Sequence, residues 1–378
     1  MTSANHQTRC CKTTPAVYHL MMFTTLFLLF VFATHSTLAL PTTTNPPHKS
    51  VSADYTLLEV VPHSRTSFTQ GLTLHKSTLF EGTGLTHQSR ILQHDPSNNM
   101  ETLSTQKVEP GHVFGEGIAC YHVDRQGEDG EMVREYRLIQ LTWKDGIGMI
   151  YRIQDDENEQ ETAAAPAASL ELIDTFKFNT YTGEGWGITF IPQTNEFYVS
   201  DGSEYIFVWD VETLQEKRRM PVTLERSDGT SVRLKYVNEL EFVDFKRKCV
   251  GRKEVKDWEI HNVYLEECRE GDVDQDCSWN GSSADDDSEE CKNDSKGGFT
   301  STMSILANVW YQDVLIRIDP VTAKVTRVYD LSNIYPFEQR QKDGADCLNG
   351  ISVTGSDPDE VWVTGKLWPS MYRIRLID

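Results

Sequence analysis

Basic residues are in short supply. Lys and Arg number 36 against 57 Asp and Glu, a formal charge of -21 over 378 residues. Such a chain is repelled by phosphate backbones and by anionic lipid surfaces, which argues against nucleic acid and against electrostatic membrane binding. A comfortable bilayer span is missing too: the apolar stretch 20–33 is shorter than the hydrocarbon core requires. The eight cysteines include no CxxC pair and the eleven histidines are scattered, so the chain offers none of the usual zinc-ligand spacings.

What stands at the N-terminus is a leader pattern. Arg9 and Lys12 precede the apolar run, and Thr37-Leu38-Ala39 supplies small residues for cleavage. Residues 1–40 therefore read as a secretory signal peptide, with an uncleaved single-pass signal anchor as the alternative. Residues 41–53, rich in Thr and Pro, read as a linker, and 54–378 as the folded domain.

A five-fold repeat organises that domain. Its most telling copy is Phe114-Gly115-Glu116-Gly117-Ile118, one carboxylate between two glycines at the start of an apolar strand. The frame recurs as Phe68-Thr69-Gln70-Gly71-Leu72, Gly185-Trp186-Gly187-Ile188, Val237-Asn238-Glu239-Leu240-Glu241 and Leu348-Asn349-Gly350-Ile351. A second and a third apolar strand follow each frame, and a more polar fourth follows four of them. The fifth unit runs out of chain, and the extra strand at 55–63 is placed to complete it and close the ring. Gly71 to Gly117 spans 46 residues, the length of a propeller blade. The expected fold is all-β: a five-bladed β-propeller of four-stranded antiparallel blades. An irregular β-sandwich is the weaker alternative.

Two insertions interrupt the pattern. Residues 154–168, acidic and then Ala-rich, read as a solvated loop in the second blade. Residues 244–302 form a larger insertion in the fourth, with an acidic run and glycosylation sequons at Asn280 and Asn293. Its cysteines Cys249, Cys268, Cys277 and Cys291 point to two disulfides in an oxidising compartment, with three connectivities open. Cys120 and Cys347 fall in non-adjacent blades and are expected not to pair.

Equivalent positions of a propeller converge on its axis. Aligning the frames superposes Gln70, Glu116, Trp186, Glu239 and Asn349. Aligning the second strands superposes Gly84, Trp143, Gly202, Trp310 and Lys366. Packing alone favours uniformity at such positions, so three tryptophans and a lysine among glycines mark a pocket.

These motifs resemble the plant-type glutaminyl-peptide cyclotransferases, or glutaminyl cyclases. The similarity covers about 55–376 apart from the insertions, through F-T-Q-G-L at 68–72, F-G-E-G-I at 114–118, L-T-W-K-D-G at 141–146 and G-E-G-W-G-I at 183–188. It continues with N-E-L-E at 238–241, A-N-V-W at 307–310, L-N-G-I at 348–351 and V-T-G-K-L-W-P at 363–369. The resemblance implies a five-bladed propeller, a substrate with an N-terminal glutamine, and site residues Phe68, Gln70, Phe114, Glu116, Trp143, Trp186, Asn238, Trp310 and Lys366. None of the nine is substituted. The implied reaction is cyclisation to pyroglutamate with loss of ammonia. Glu116 is then the proton shuttle, Lys366 the donor to the developing oxyanion, Gln70 and Asn238 the groups orienting the substrate, and the aromatics its walls.

No metal ligand or cofactor is required by that chemistry. Glu239 is the candidate for a structural calcium ion on the axis, since carboxylates and carbonyls suit calcium. A monomer of the secretory pathway, secreted or vacuolar, is expected. Two other functions are compatible with a propeller. A non-enzymatic scaffold gripping peptide ends would be marked by loss of Glu116 or Lys366, and both are present. A calcium-dependent lactone or ester hydrolase would need more axial carboxylates and amides than Glu116, Glu239 and Asn349.

Overall fold

The computed structural model describes residues 54–127, 130–154, 167–226, 228–248, 265–267 and 299–378. The leader, the linker, both sequons and the four insertion cysteines lie outside them. Five four-stranded antiparallel sheets are arranged as blades, each entered by its innermost strand. Blade one comprises Thr69–His75, Thr78–Thr83, Arg90–Asp95 and Glu101–Lys107; blade two Gly115–Gln126, Met132–Thr142, Ile147–Gln154 and Ser169–Lys177. Blade three comprises Ile188–Ile191, Glu196–Ser200, Tyr205–Asp210 and Glu216–Pro221; blade four Val237–Lys248, Phe299–Val309, Val314–Ile318 and Val325–Asp330. Blade five runs outward from Leu348–Val353 through Glu360–Gly365 and Ser370–Leu376 to Tyr55–Pro62, so the N-terminal strand closes the ring as expected.

Burial explains the strand composition. Inner strands such as Thr78–Thr83, Glu196–Ser200 and Glu360–Gly365 are buried on both faces, while the outer Glu101–Lys107 and Glu216–Pro221 are largely exposed. A strand covered on both faces reads as continuously apolar, and an edge strand reads as polar.

Each pair of consecutive blades encloses one apolar cluster. The seam where blade five meets blade one has the smallest, six buried side chains: Val61, Leu72, Leu79, Met100, Trp362 and Met371. A buried polar clasp lies at the same seam. Glu81 accepts hydrogen bonds from His63 Nε2 (3.0 Å), Thr69 Oγ1 (2.7 Å) and His94 Nε2 (3.0 Å). A cavity of about 440 Å³ opens beside His63 and His94, and it shares no lining residue with the aromatic mouth described below.

Three features depart from the expected pattern. A hairpin, Thr223–Glu225 and Ser231–Leu234, follows blade three and buries Leu224, Val232 and Leu234 against blades three and four. A short helix, Phe337–Asp343, precedes blade five and ends on Gly344 in the left-handed region (φ 69°). The large insertion is narrower than 244–302, because Val237–Lys248 and Phe299–Val309 stay paired out to Lys248 and Phe299. Within it, Leu265–Glu267 adds a strand to the hairpin and ties that segment to the body. Cys120 and Cys347 are not joined to each other, and Cys347 is a buried thiol that burial pushes up to about 11.

Candidate active site

The inner strands of blades one, two, four and five each break register once near the mouth: between Thr69 and Gly71, Gly115 and Ile118, Val237 and Leu240, and Leu348 and Ile351. A bulge turns side chains away from strict alternation, and bulges gather beside active sites. Just before each break the same bond recurs. The N–H groups of Gly84, Trp143, Trp310 and Lys366 donate to the carbonyls of Phe68, Phe114, Tyr236 and Cys347, at 2.8 to 3.0 Å. For Gly84, Trp143, Trp310 and Lys366 the second-strand alignment read from the sequence is therefore the alignment in space.

The same bonds correct the frame alignment. Counting forward from them puts Asn238, not Glu239, in the row of Gln70, Glu116, Trp186 and Asn349. Glu239 falls where the other blades have Gly71, Gly117, Gly187 and Gly350. The other blades use glycine there because neighbouring backbones touch: a Cβ on Gly187 would lie 2.1 Å from the Asn238 carbonyl oxygen. The side chain of Glu239 instead accepts the backbone N–H of Leu72 through Oε1, tying blade four to blade one. Burial, with Glu241 nearby, pushes this carboxyl well above the ordinary range.

Glu116 projects from its bulge into a nearly closed site, 6% exposed. Gln70 Nε2 donates to its Oε1 at 3.2 Å, and Gln70 Oε1 accepts from Asn349 Nδ2 at 3.2 Å. Asn349 Nδ2 also donates to the Thr69 carbonyl at 3.0 Å, which fixes the direction of the whole chain. Burial pushes the Glu116 carboxyl up to about 8; nearby Lys366 opposes the shift and Glu184 reinforces it. Lys366, itself 7% exposed, rises from the turn after Glu360–Gly365, with Nζ 5.0 Å from the centre of the Phe68 ring. Asn238 is buried next in the row, its carbonyl oxygen accepting from Ser200 Oγ at 2.6 Å.

Aromatic rings wall the site. Phe68 meets Phe114 edge-on at 6.2 Å, and Phe114 meets Trp143 at 5.5 Å. Trp186 lies 5.7 Å from Trp310 and 6.3 Å from Tyr236, and Tyr311 extends the wall outward from Trp310. Gly84 and Gly202 are the glycines of this ring of positions because Phe114 and Trp186 occupy their space: a Cβ would fall 2.3 and 2.6 Å from those rings.

The nine residues carried by the resemblance thus come from all five blades to one mouth. Sequence reasoning passed over three more: Glu184, Tyr236 and Tyr311. Glu184 joins the two halves of the wall, accepting from Trp143 Nε1 (2.8 Å) and Trp186 Nε1 (2.9 Å). The signal was available. Glu184 and Tyr236 occupy the column of Phe68 and Phe114, one residue before the frame as first drawn.

Comparison with known proteins gives the same direction. A family model described as "Glutamine cyclotransferase" matches residues 28–250 and 298–376. The glutaminyl-peptide cyclotransferase of Arabidopsis thaliana is 26% identical over 329 residues, covering 84% of this chain and 71% of that protein. The crystal structure of Myxococcus xanthus glutaminyl cyclase superposes with a TM-score of 0.50 at 22% identity, over 85% of this chain and 97% of that one.

Proposed function

Since the chain belongs to the glutamine cyclotransferase family, we propose that it closes the N-terminal glutamine of peptides and proteins into pyroglutamate, releasing ammonia. The observation that carries this reading is Glu116: a carboxyl in an aromatic cup, titrating near pH 8 and held by a neutral amide.

The α-amine nitrogen attacks the side-chain amide carbon, forming the ring C–N bond and then breaking the exocyclic one. The attacking nitrogen must shed a proton and the departing nitrogen must take one up. A carboxyl whose pKa lies close to that of an α-amine performs both transfers, accepting first and donating second. Lys366 supplies the positive charge for the oxygen of the tetrahedral intermediate. Gln70 and Asn238 orient the amide and the amine. Because nucleophile and electrophile belong to one residue, the walls of Phe68, Phe114, Trp143, Trp186 and Trp310 need only hold the folded conformer and keep water out. The steps so written use no cofactor.

The same reading takes the chain through the secretory pathway as a monomer, with residues 1–40 as signal, glycans on Asn280 and Asn293, and two disulfides in the insertion. Its support is the sequence pattern. Among the described residues no helix is long and apolar enough to cross a membrane.

The test is incubation of purified protein with a Gln-initiated peptide, followed by mass spectrometry. Loss of one ammonia per peptide, and none from the same peptide beginning with Asn, is expected. Tight binding without mass change would make the protein a peptide-gripping scaffold.

A further inference from the structure

The mechanism above gives no part to the carboxylate of the mouth's wall. Glu184 lies in the loop entering blade three, its side chain 22% exposed. Its backbone is fixed on both sides: its carbonyl accepts from Thr180 Oγ1 at 2.6 Å, and its N–H donates to Thr182 Oγ1 at 3.3 Å. Thr182 Oγ1 is in turn anchored on the carbonyl of Asp201 at 2.9 Å. From this base, Oε2 accepts both indole N–H groups and Oε1 pairs with Lys144 Nζ at 3.3 Å. Lys144 Nζ also sits 3.9 Å from the centre of the Trp143 ring.

We propose that Glu184 is a positioning residue for the reaction, one carboxylate that clamps two indole walls while standing as a second negative charge behind Glu116. The proposal rests on the cyclase reading, and it adds a residue that the chemistry alone does not require. Main-chain bonds hold the two arcs at their base, from the Gly185 N–H to the Trp143 carbonyl (2.9 Å) and from the Gly117 N–H to the Trp186 carbonyl (2.8 Å). Among the described side chains, it is Glu184 that links the indoles of the Phe68–Phe114–Trp143 arc and the Trp186–Trp310–Tyr236 arc. Trp143, at 37% exposure, has open solvent to swing into. The charged groups facing Glu116 are Lys366, from blade five, and Glu184; Gln70, from blade one, is neutral. Nearby on the rim are Lys144, paired with Glu184, and Asp145, whose carboxylate accepts the Phe114 N–H. Glu184 pushes the Glu116 carboxyl up and Lys366 pulls it down, so removing the charge of Glu184 lowers the pH at which Glu116 ionises.

Two variants test this. Glu184→Gln keeps an oxygen for both indoles but removes the charge; Glu184→Leu removes both functions. Titration of Glu116 is followed by NMR of carboxyl-labelled protein, with Glu116→Gln to assign the signal. In Glu184→Gln its midpoint should fall by about half a unit or more, the scale of a lost neighbouring charge. The indole N–H signals of Trp143 and Trp186 should stay near their wild-type positions. In Glu184→Leu both indole signals should move, and KM for a Gln-initiated peptide should rise about tenfold, the worth of roughly one hydrogen bond. Glutamine at 184 should restore KM. Unmoved indole signals in Glu184→Leu, or an unmoved midpoint in Glu184→Gln, would overturn the proposal. Should leucine prevent folding, the glutamine variant decides alone. Neither NMR readout needs turnover, so an inactive wild type would sink the cyclase reading and leave Glu184 to be judged separately.

Discussion

At Glu116 two influences compete, and burial wins. Lys366 favours the carboxylate, but desolvation and the charge of Glu184 outweigh it and leave the group titrating near pH 8. The mechanism starts from carboxylate and neutral amine, so turnover should rise as pH passes through about 8 and then level off. Glu116→Gln preserves shape and hydrogen bonding while removing the titrating proton. Turnover should drop about 10²-fold or more, the usual contribution of general acid–base catalysis. The alkaline-rising limb should go with it, and the melting temperature should barely move. Wild-type turnover in that variant would assign the proton to another group. Lys366→Met separates chemistry from grip. It keeps an unbranched stem and removes the charge, so turnover should fall about 10²- to 10³-fold if the ammonium serves the oxyanion. Peptide affinity should change far less. A loss of affinity at unchanged turnover would reassign Lys366 to substrate binding.

Among the elements, the seam between blades five and one has the smallest apolar cluster of the ring and a buried charged clasp beside it. His63 Nε2 donates to Glu81, and His63 Nδ1 lies 2.8 Å from the Trp368 carbonyl. Both neighbours are proton-free oxygens, so both ring nitrogens carry hydrogen and His63 is an imidazolium. Burial alone would push its pKa down, but the Glu81 carboxylate and these bonds lift it above 6.5. Burial would likewise raise Glu81, yet the two histidines hold it well below 4.5. The raised histidine contributes fully below about 6.5 and is lost as pH climbs through its folded value; the depressed carboxylate contributes above about 4.5 and is lost on acidification. Ring closure should therefore be firmest between those values. Thermal melts should show a higher midpoint at pH about 6 than at about 8.5. Glu81→Gln should cost about 3 kcal/mol near pH 6, the low end for breaking a buried pair because His63 can shed its proton. A variant that keeps the wild-type pH dependence would acquit the clasp. How far the sequence disclosed the elements follows from the same physics. Blade count, strand order and the closing strand were legible because a strand buried on both faces writes a continuous apolar signature. The hairpin at Thr223–Leu234 was not, since its strands are three and four residues long. Glu239 was misplaced because the glycine that marks this column in the other four blades is missing from blade four, where Glu239 itself takes its place beside Asn238. Glu184 escaped notice because a glutamate between glycines looks like a turn until its two indole partners are known.

For the molecule as a whole the open matter is what the fourth-blade insertion contributes. Residues 249–298 hold 15 acidic and 6 basic side chains, so they carry -9 of the net charge of -21, and the propeller stays acidic without them. Lys248 and Phe299 are cross-strand partners at the point where the insertion leaves the sheet. A two-residue Asn-Gly turn between them therefore closes the hairpin with its register intact. Two effects on stability oppose each other. Shortening the connection from the full insertion to a two-residue turn recovers about 2–3 kcal/mol of closure entropy, from the logarithmic length dependence. Removing Leu265–Glu267 unpairs one side of Ser231–Leu234, worth about 1 kcal/mol or slightly more for a three-residue ladder at the edge of a sheet. The first exceeds the second, so the shortened protein should be soluble and melt at or slightly above the wild-type temperature. None of the mouth residues lies in the removed segment, so turnover on a short, neutral Gln-initiated peptide should stay within about twofold, since a change of that size is below 0.5 kcal/mol. Insoluble protein would show that the insertion packs on the blades beyond Leu265–Glu267. Soluble protein with turnover lost would mean that the insertion reaches the mouth. A fall in kcat/KM confined to cationic peptides, and erased by salt, would mean that its acidic residues gather substrate by long-range charge.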